Sequence, residues 1–589
     1  MALTAEQMAD QRKQAEELLF SGPEKLGFAK ALFFGHFTSS LLFPYPEIKE
    51  EERAKVAQMT TDVRQYVDNH LDAMAIDRNA EIPQDVVDGL GRIGVLGATA
   101  PEQFGGRGLS QLANTKIMEI IGGHCSSTAV FVNAHHSIGI RSLLMFGTEA
   151  QKQCWLPDLV SGRKLAAFAL TEAEAGSDAA NVQTTATLSP DGKTWILNGG
   201  KRYITNGGIA GVLTVMARTP VPGSKETKVT AFLVTPDMPG FKVLEARMPK
   251  CGIRGTATGK LAFENMPVPA ENILGQLGKG LRLALTVLDF GRVTFGASCT
   301  GAAKVCLRET QKYALERVQF KQKLADFELV KKKIAYMAAH VFAMEATTTQ
   351  CAAFIDRDIA DYMLETAMLK VWSTEVLWIM VNDMLQVYGG KGYFSDQPYE
   401  RMMRDARINQ IGEGANDVLR SFITVVGIKP VADKLLNVKN ALANPIKDFG
   451  KLFDFGRKQL GDMFSSPEIP VLHQSLKPPA AALSKRLHEF GRTIQSLLIK
   501  YREAFIERQY HHERVSEAAC EIYASSCVLS RLDLLLSRGN GHAQETERDI
   551  ASGLYYLKVS DRRIRQAMAA LNDNEDADTT ALANLYLKG

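Results

Sequence analysis

No stretch of this 589-residue chain approaches the roughly 20 consecutive apolar residues that a helix needs to cross a bilayer, so nothing in it reads as a membrane span. An excess of one charge is also missing. With 69 basic and 66 acidic residues the net charge is only +3, which leaves no electrostatic footprint for a nucleic-acid partner. The eight cysteines, Cys125, Cys154, Cys251, Cys299, Cys306, Cys351, Cys520 and Cys527, include no CxxC pair and stand with no histidine cluster at metal-ligand spacing. They exclude the usual zinc patterns, and no metal is expected; they read as spare or buried thiols in a reducing compartment. No GxGxxG opens a βαβ unit, which removes the Rossmann route to a dinucleotide. Gly105-Gly-Arg-Gly108 follows no strand and lacks a Lys-Ser/Thr ending, so it reads as a turn and not as a phosphate loop. The opening residues, Met1 to Gln7, have neither an apolar signal core nor the Arg-rich, acid-poor character of a transit peptide. A cytoplasmic bacterial protein, at most peripheral to the inner membrane, is the expectation.

What is present is enough apolar content, 46%, for several cores, and two different periodicities. From 51 to 165 apolar residues recur at helical spacing, as in Val86 to Leu90 and Ile117 to Ile121. From 166 to 275 the period becomes two, in Thr184 to Leu188, Trp195 to Leu197, Leu213 to Ala217 and Val229 to Val234, with turn signals at Asp191-Gly192 and Asn206 to Gly208. Helical runs such as Val305 to Glu316 return from 276 to 430. After Pro430 the composition shifts, and 431–472 reads either as a linker or as an amphipathic segment whose lysines and phenylalanines could lie on an anionic membrane surface. From 473 to 589 the helical period resumes, in Leu483 to Phe490 and Ser526 to Leu536. The expected fold class is α+β and mostly α: an N-terminal segment over 1–50, an N-terminal helical domain, a middle β-domain, a C-terminal four-helix bundle and an extra C-terminal helical domain.

The chemistry concentrates in Gln410-Ile-Gly-Glu-Gly-Ala-Asn-Asp417. Glu413 stands between two glycines, which add no bulk, so a flat organic molecule can approach the backbone while the carboxylate points at it. That suits a base that removes a carbon-bound proton, because a general base needs reach and a pKa tuned by its surroundings. A solvated loop carboxylate is the plainer reading of the pentapeptide alone.

Further motifs stand in a specific order: Phe168-Ala-Leu-Thr-Glu-Ala-Glu-Ala-Gly-Ser-Asp178, Tyr203-Ile-Thr-Asn-Gly-Gly208, Asp289-Phe-Gly-Arg292, Arg317-Val-Gln-Phe320, Gln386-Val-Tyr-Gly-Gly390 and Arg401-Met-Met-Arg-Asp-Ala-Arg407. In this order they resemble the acyl-CoA dehydrogenases over essentially the whole sequence, and the long tail is most similar to the very-long-chain subgroup. The resemblance implies α,β-dehydrogenation of a long-chain fatty acyl-CoA to the trans-2-enoyl-CoA in β-oxidation, with Glu413 as the base and FAD as the hydride acceptor, since no side chain accepts hydride. It implies that Phe168, Leu170, Thr171, Ser177, Tyr203 and Thr205 surround the flavin. It further implies that Arg317, Phe320, Gln386, Gly389 and Gly390 meet the FAD of a neighbouring subunit in a homodimer, with Ala415 and Asp417 also at the cofactor. Ser177, Asp289, Arg292 and Gly414 match positions that contact acyl-CoA, and the Glu413 N–H with a ribityl hydroxyl would bind the thioester oxygen. Electron-transfer flavoprotein is the implied acceptor.

Two departures are visible. Ala415 stands where relatives often carry threonine, and Ala173 where they often carry proline. Some relatives hold the base on an earlier helix, at the position of Gly291, and a glycine there leaves the role to Glu413. The pocket floor is expected near Ala129 to Asn133, with Phe131 and Asn133 limiting its depth. An acyl-CoA oxidase, or a scaffold for respiratory-complex assembly with residual dehydrogenase activity, are the alternative readings.

Overall fold

The structure, a computed structural model, describes residues 26–224, 226–443, 466–538 and 544–587. These form two compact units, 47–337 with 373–415, and 26–46 with 338–372 and the described part of 416–587.

The first unit opens with helices α1 (Glu50–His70), α2 (Gln84–Arg92), α3 (Gln111–His124) and α4 (Ser126–Val132). The apolar stripes predicted from spacing meet in one core that includes Val63, Val67, Leu90, Ile117, Ile121 and Phe131. A π-helical stretch, Asn133–Ile140, continues α4 directly. Such wide turns are rare and gather at functional positions. Helix α5 (Glu149–Val160) starts with a capping box between Thr148 and Gln151, each side chain satisfying the other's backbone N–H.

The period-two segments form one mainly antiparallel sheet of eight strands: β1 (Ala166–Ala169), β2 (Thr185–Leu188), β3 (Thr194–Ile204), β4 (Val212–Thr219), β5 (Lys228–Val234), β6 (Phe241–Glu245), β7 (Gly259–Pro269) and β8 (Ile273–Leu274). Their spatial order is β6-β7-β3-β2-β4-β5-β8, with β1 parallel to β4. Alternation along β4 shows why the sheet is buried on both faces. Val212 and Met216 join Leu283 and Val287 in one core cluster, whereas Leu213, Val215 and Ala217 join Phe232 and Phe263 in the other.

The long helix α6 (Gly280–Glu316) carries Leu283 and Val287 and crosses α3 at a point with no room for side chains. A Cβ on Gly301 would stand 1.9 Å from the Glu119 carbonyl oxygen, and one on Gly122 would stand 2.6 Å from the Ser298 Cα. Backbone meets backbone there. Gly301→Val is therefore expected to force α3 and α6 apart and to cost about 3 kcal/mol, the upper end for overpacking a core. A thermal unfolding midpoint unchanged from wild type would contradict this packing.

A short hairpin, β9 (Val318–Gln319) with β10 (Gln322–Lys323), leads to α7 (Glu328–Asp356), α8 (Met363–Tyr388) and α9 (Tyr399–Arg407). Helix α9 is fastened by the charges of the Arg401 to Arg407 motif. Arg404 grips Asp77 through two bonds of 3.0 and 2.6 Å and also reaches Glu400 and the Cys251 carbonyl. Asp405, buried beside Arg401, accepts the Ile253 N–H at 2.5 Å. Burial pushes the Asp405 carboxyl up, with Arg401 pulling the other way. The motif thus works as a clamp on the helix that precedes Glu413.

In the second unit, α10 (Asn416–Ala443) carries Pro430 within it, so the compositional shift after Pro430 falls inside a helix. Residues 444–465, most of the expected linker or amphipathic segment, lie outside the described residues. Beyond it come α11 (Lys477–Tyr501), α12 (Gln509–Ser537), α13 (Gln544–Ala569) and α14 (Asp576–Leu587), which contain the helical runs predicted at 483–490 and 526–536. Their packing is tied by a buried carboxylate. Glu521 accepts from Tyr556 and Ser560 at 2.7 Å each and pairs with Arg563 at 3.0 Å, and these partners hold its pKa low against the burial that would raise it. A mostly helical chain with one sheet in its middle and added helices in its tail is what the periodicities foretold. Among the described residues no helix is long and apolar enough to cross a membrane, and no group of three or more His, Cys, Asp or Glu side chains could hold a metal.

Candidate active site

Glu413 follows α9 and the 3-10 turn Ile408–Gln410, whose last turn is closed by the Ile411 and Gly412 N–H groups on the Ile408 carbonyl. Its φ is +55°, a left-handed backbone that a residue with a Cβ adopts at a cost, and Gly414 after it has φ +98°. Strain of this kind persists where the surroundings over-determine it, and it collects at sites that do chemistry.

The carboxylate is received on two sides. Asn133, the first residue of the π-helical stretch, donates its amide Nδ2–H to Glu413 Oε1 at 2.6 Å. On the other side stands Gly291 of α6, and a Cβ there would lie 2.6 Å from Glu413 Oε2. The glycine leaves a recess that any larger residue would fill. Asp289 and Arg292, one helical turn around it, are both buried and paired at 3.0 Å. Position 291, where the resemblance puts the base of some relatives, and Glu413 converge on one point.

Of the residues expected at a ring, Phe168 lies half-buried in β1, and Leu170 is buried just after the strand. Thr171 and Thr205 are half-buried, Ser177 is exposed, and Tyr203 near the end of β3 has φ +62° and is 57% exposed. The segment that carries them is anchored from beneath. Glu172, buried, accepts from the Gln183 and Thr184 N–H groups, the Thr184 hydroxyl and Lys201 Nζ, the last at 2.6 Å. Lys201, fully buried on β3, also donates to the Leu170 carbonyl at 3.1 Å. Burial pushes the Lys201 ammonium down to about 8 although Glu172 supports it. Burial would also raise the Glu172 carboxyl, but Lys201 and the other donors outweigh it and leave it below the ordinary range. Sequence reasoning missed this pair. The available signal was a lysine at an inward position of an alternating strand.

Arg317, Phe320, Gln386, Gly389 and Gly390 are exposed, whereas Val387 and Tyr388 at the end of α8 are buried. Tyr388 stacks on Tyr313 of α6 with centroids 4.1 Å apart, donates to the Glu309 carbonyl at 3.1 Å and accepts from the Tyr399 hydroxyl at 2.7 Å. That fixes the end of α8 against α6 and α9. Phe320 at the hairpin tip is 89% exposed, and a Cβ on Gly389 or Gly390 would meet nothing within 4 Å. Ala415 closes the first unit half-buried, Gly414 is half-buried beside it, and Asp417 is exposed in the first turn of α10 in the second unit.

Matches to known proteins follow this layout. The acyl-CoA dehydrogenase N-terminal domain matches residues 53–163, the middle domain 167–266 and the C-terminal domain 278–426, so the chain belongs to the acyl-CoA dehydrogenase family. Within that family its tail sets it apart: residues 474–585 match the ACAD9/ACADV C-terminal domain. The very long-chain specific acyl-CoA dehydrogenase of Macaca fascicularis mitochondria is 33% identical over 562 residues, which are 94% of this chain and 85% of that protein. The probable acyl-CoA dehydrogenase FadE10 of Mycobacterium tuberculosis is 31% identical over 604 residues, 98% of this chain and 91% of FadE10. Among solved structures, an acyl-CoA dehydrogenase of Bacillus anthracis complexed with FAD matches with a TM-score of 0.78 at 26% identity, covering 96% of this chain and 95% of that one. The chain is an oxidoreductase of that family.

Proposed function

We propose that this enzyme dehydrogenates long-chain fatty acyl-CoA thioesters between Cα and Cβ, with Glu413 removing the α-proton. The observation that carries the reading is the Glu413 carboxylate itself, held in a left-handed turn between the Asn133 amide and the Gly291 recess. Proton transfer requires a base within hydrogen-bond reach and fixed in direction, and this carboxylate has both a donor and a steric wall to fix it.

The residues around Tyr203 suit FAD. Hydroxyls of Thr171, Ser177 and Thr205 offer donors and acceptors to the edge of a polar ring, Tyr203 and Phe168 offer apolar faces, and the open backbone at Gly389 and Gly390 admits close approach. Arg317 offers a fork for a pyrophosphate. When bound, FAD supplies the acceptor for the hydride that leaves Cβ. The chain's own part is to hold the thioester so that its α-carbon faces Glu413, to present the Glu413 N–H to the thioester oxygen, and to take the proton on the carboxylate. The exposed Phe320, with Arg317 and the Gln386 to Gly390 turn, favours a homodimer in which each copy completes the other's cofactor site. Electron-transfer flavoprotein is the proposed acceptor of the reducing equivalents, and segment 431–472 is the proposed point of any peripheral contact with a membrane surface.

A turnover series over straight-chain acyl-CoA thioesters of graded length, with electron-transfer flavoprotein as acceptor, tests the substrate class. The expected result is kcat/KM rising from short to long chains. A maximum at the shortest chains would remove the long-chain reading, and hydrogen peroxide formed in air at the rate of turnover would make the enzyme an oxidase.

A further inference from the structure

We propose that Asn133 is a positioning residue for Glu413, acting only through it; the inference rests on Glu413 being the base. Asn133 is 2% exposed and stands 280 positions away in sequence, at the junction where α4 widens into the π-helical stretch. The orientation of its amide is set by chemistry. An ionised carboxylate only accepts, so the group 2.6 Å from Glu413 Oε1 is the NH₂ and the amide oxygen points away. Among the described residues that oxygen is buried without a hydrogen-bond partner, and Asn133 borders a small cavity of about 20 Å³ shared with Ala129, Ser298 and Asn409, enough for one water.

An amide left half-satisfied in a buried position carries a cost that a plain wall residue, such as alanine or valine, would not. Here its one formed bond is short and charge-assisted, the strong kind. Its effect is on direction. A glutamate side chain can swing about three torsions, so the end of the carboxylate has to be directed by what it meets. The Asn133 bond fixes Oε1, and the Gly291 recess receives the other oxygen. Two elements remote in sequence, the π-helical stretch and α6, therefore locate the proton acceptor to the fraction of an ångström that proton transfer from carbon requires.

Asn133→Leu keeps the branched outline of the side chain and removes the donor. The expected result is a kcat, normalised to bound flavin, lower by about 10²-fold, the cost of a misplacement near 1 Å. KM for the acyl-CoA should stay within about threefold, because the lost interaction acts on the chemical step and not on binding. The primary isotope effect with α-deuterated acyl-CoA should rise, since proton removal then limits turnover more fully. Asn133→Gln, which returns a donor on a longer arm, should recover part of kcat, and Asn133→Ala, which also lacks a donor, serves the same comparison if the leucine variant fails to fold. A kcat within about twofold of wild type, or a loss confined to KM, overturns the proposal, the latter making Asn133 a wall of the substrate pocket only. Glu413→Gln in the same assay separates the two layers. If it is inactive while Asn133→Leu is normal, only the positioning role falls; if it turns over normally, the assignment of the base falls.

Discussion

Glu413→Gln is expected to fold, to keep FAD bound, and to lose turnover by about 10⁴-fold, the upper range for removing a general base. Glutamine has nearly the same volume, so the Gly291 recess still accommodates it, but a neutral amide cannot take a proton from carbon at a useful rate. The Asn133 bond would survive, because the glutamine carbonyl oxygen accepts as the carboxylate did. Structure and cofactor content should therefore remain while chemistry stops, a combination that a merely structural glutamate would not give. Mixing the flavin-loaded variant with acyl-CoA in a stopped-flow spectrometer and following flavin bleaching provides the measurement. Bleaching at the wild-type rate would eliminate Glu413 as the base, whatever the rest of the site does.

Lys201→Met should be the most damaging single change to the segment proposed to face the flavin. Lys201 and Glu172 are both buried, 2.6 Å apart, and the lysine also holds the Leu170 carbonyl. Removing the lysine leaves a carboxylate in the interior without its counter-ion, and the expected loss is about 3–5 kcal/mol. The same change releases the Leu170 to Ser177 segment, so the flavin-to-protein ratio after gel filtration should fall. Guanidinium unfolding gives the first quantity and the absorbance ratio the second. A double variant, Lys201→Met with Glu172→Gln, should recover most of the stability because no uncompensated charge remains. A loss below about 1 kcal/mol in the single variant would put the pair in the class of exposed ion pairs and contradict its burial.

Much of this arrangement could be read from the residues in order, and the parts that could not share a cause. The strands β4 and β5 are visible in the alternation of Leu213 to Ala217 and Val229 to Val234, because a strand's burial pattern is local. Glu413 between two glycines is equally local. The Asn133 amide on Glu413 is not, since the bond spans 280 residues and nothing near Asn133 in sequence names its partner; the sequence shows only an asparagine at the expected pocket floor. Lys201 against Glu172 is an intermediate case, 29 residues apart, with a charged residue inside an alternating strand as the one visible sign. The Arg401 to Arg407 motif is plain as a string, but its clamp on Asp77, Cys251 and Ile253 depends on two distant segments. The compositional shift after Pro430 suggests a boundary, whereas α10 continues to Ala443.

The left-handed backbone at Glu413 has a wider consequence. A glycine at that position would relax the turn and, by the usual cost of a side chain in that conformation, make the fold about 1 kcal/mol steadier. Selection acting on durability alone would drift toward such a chain, inert and comfortable. With Glu413 as the proposed base, the enzyme is poised against that drift, its working atom occupying the place where the polypeptide would rather have none.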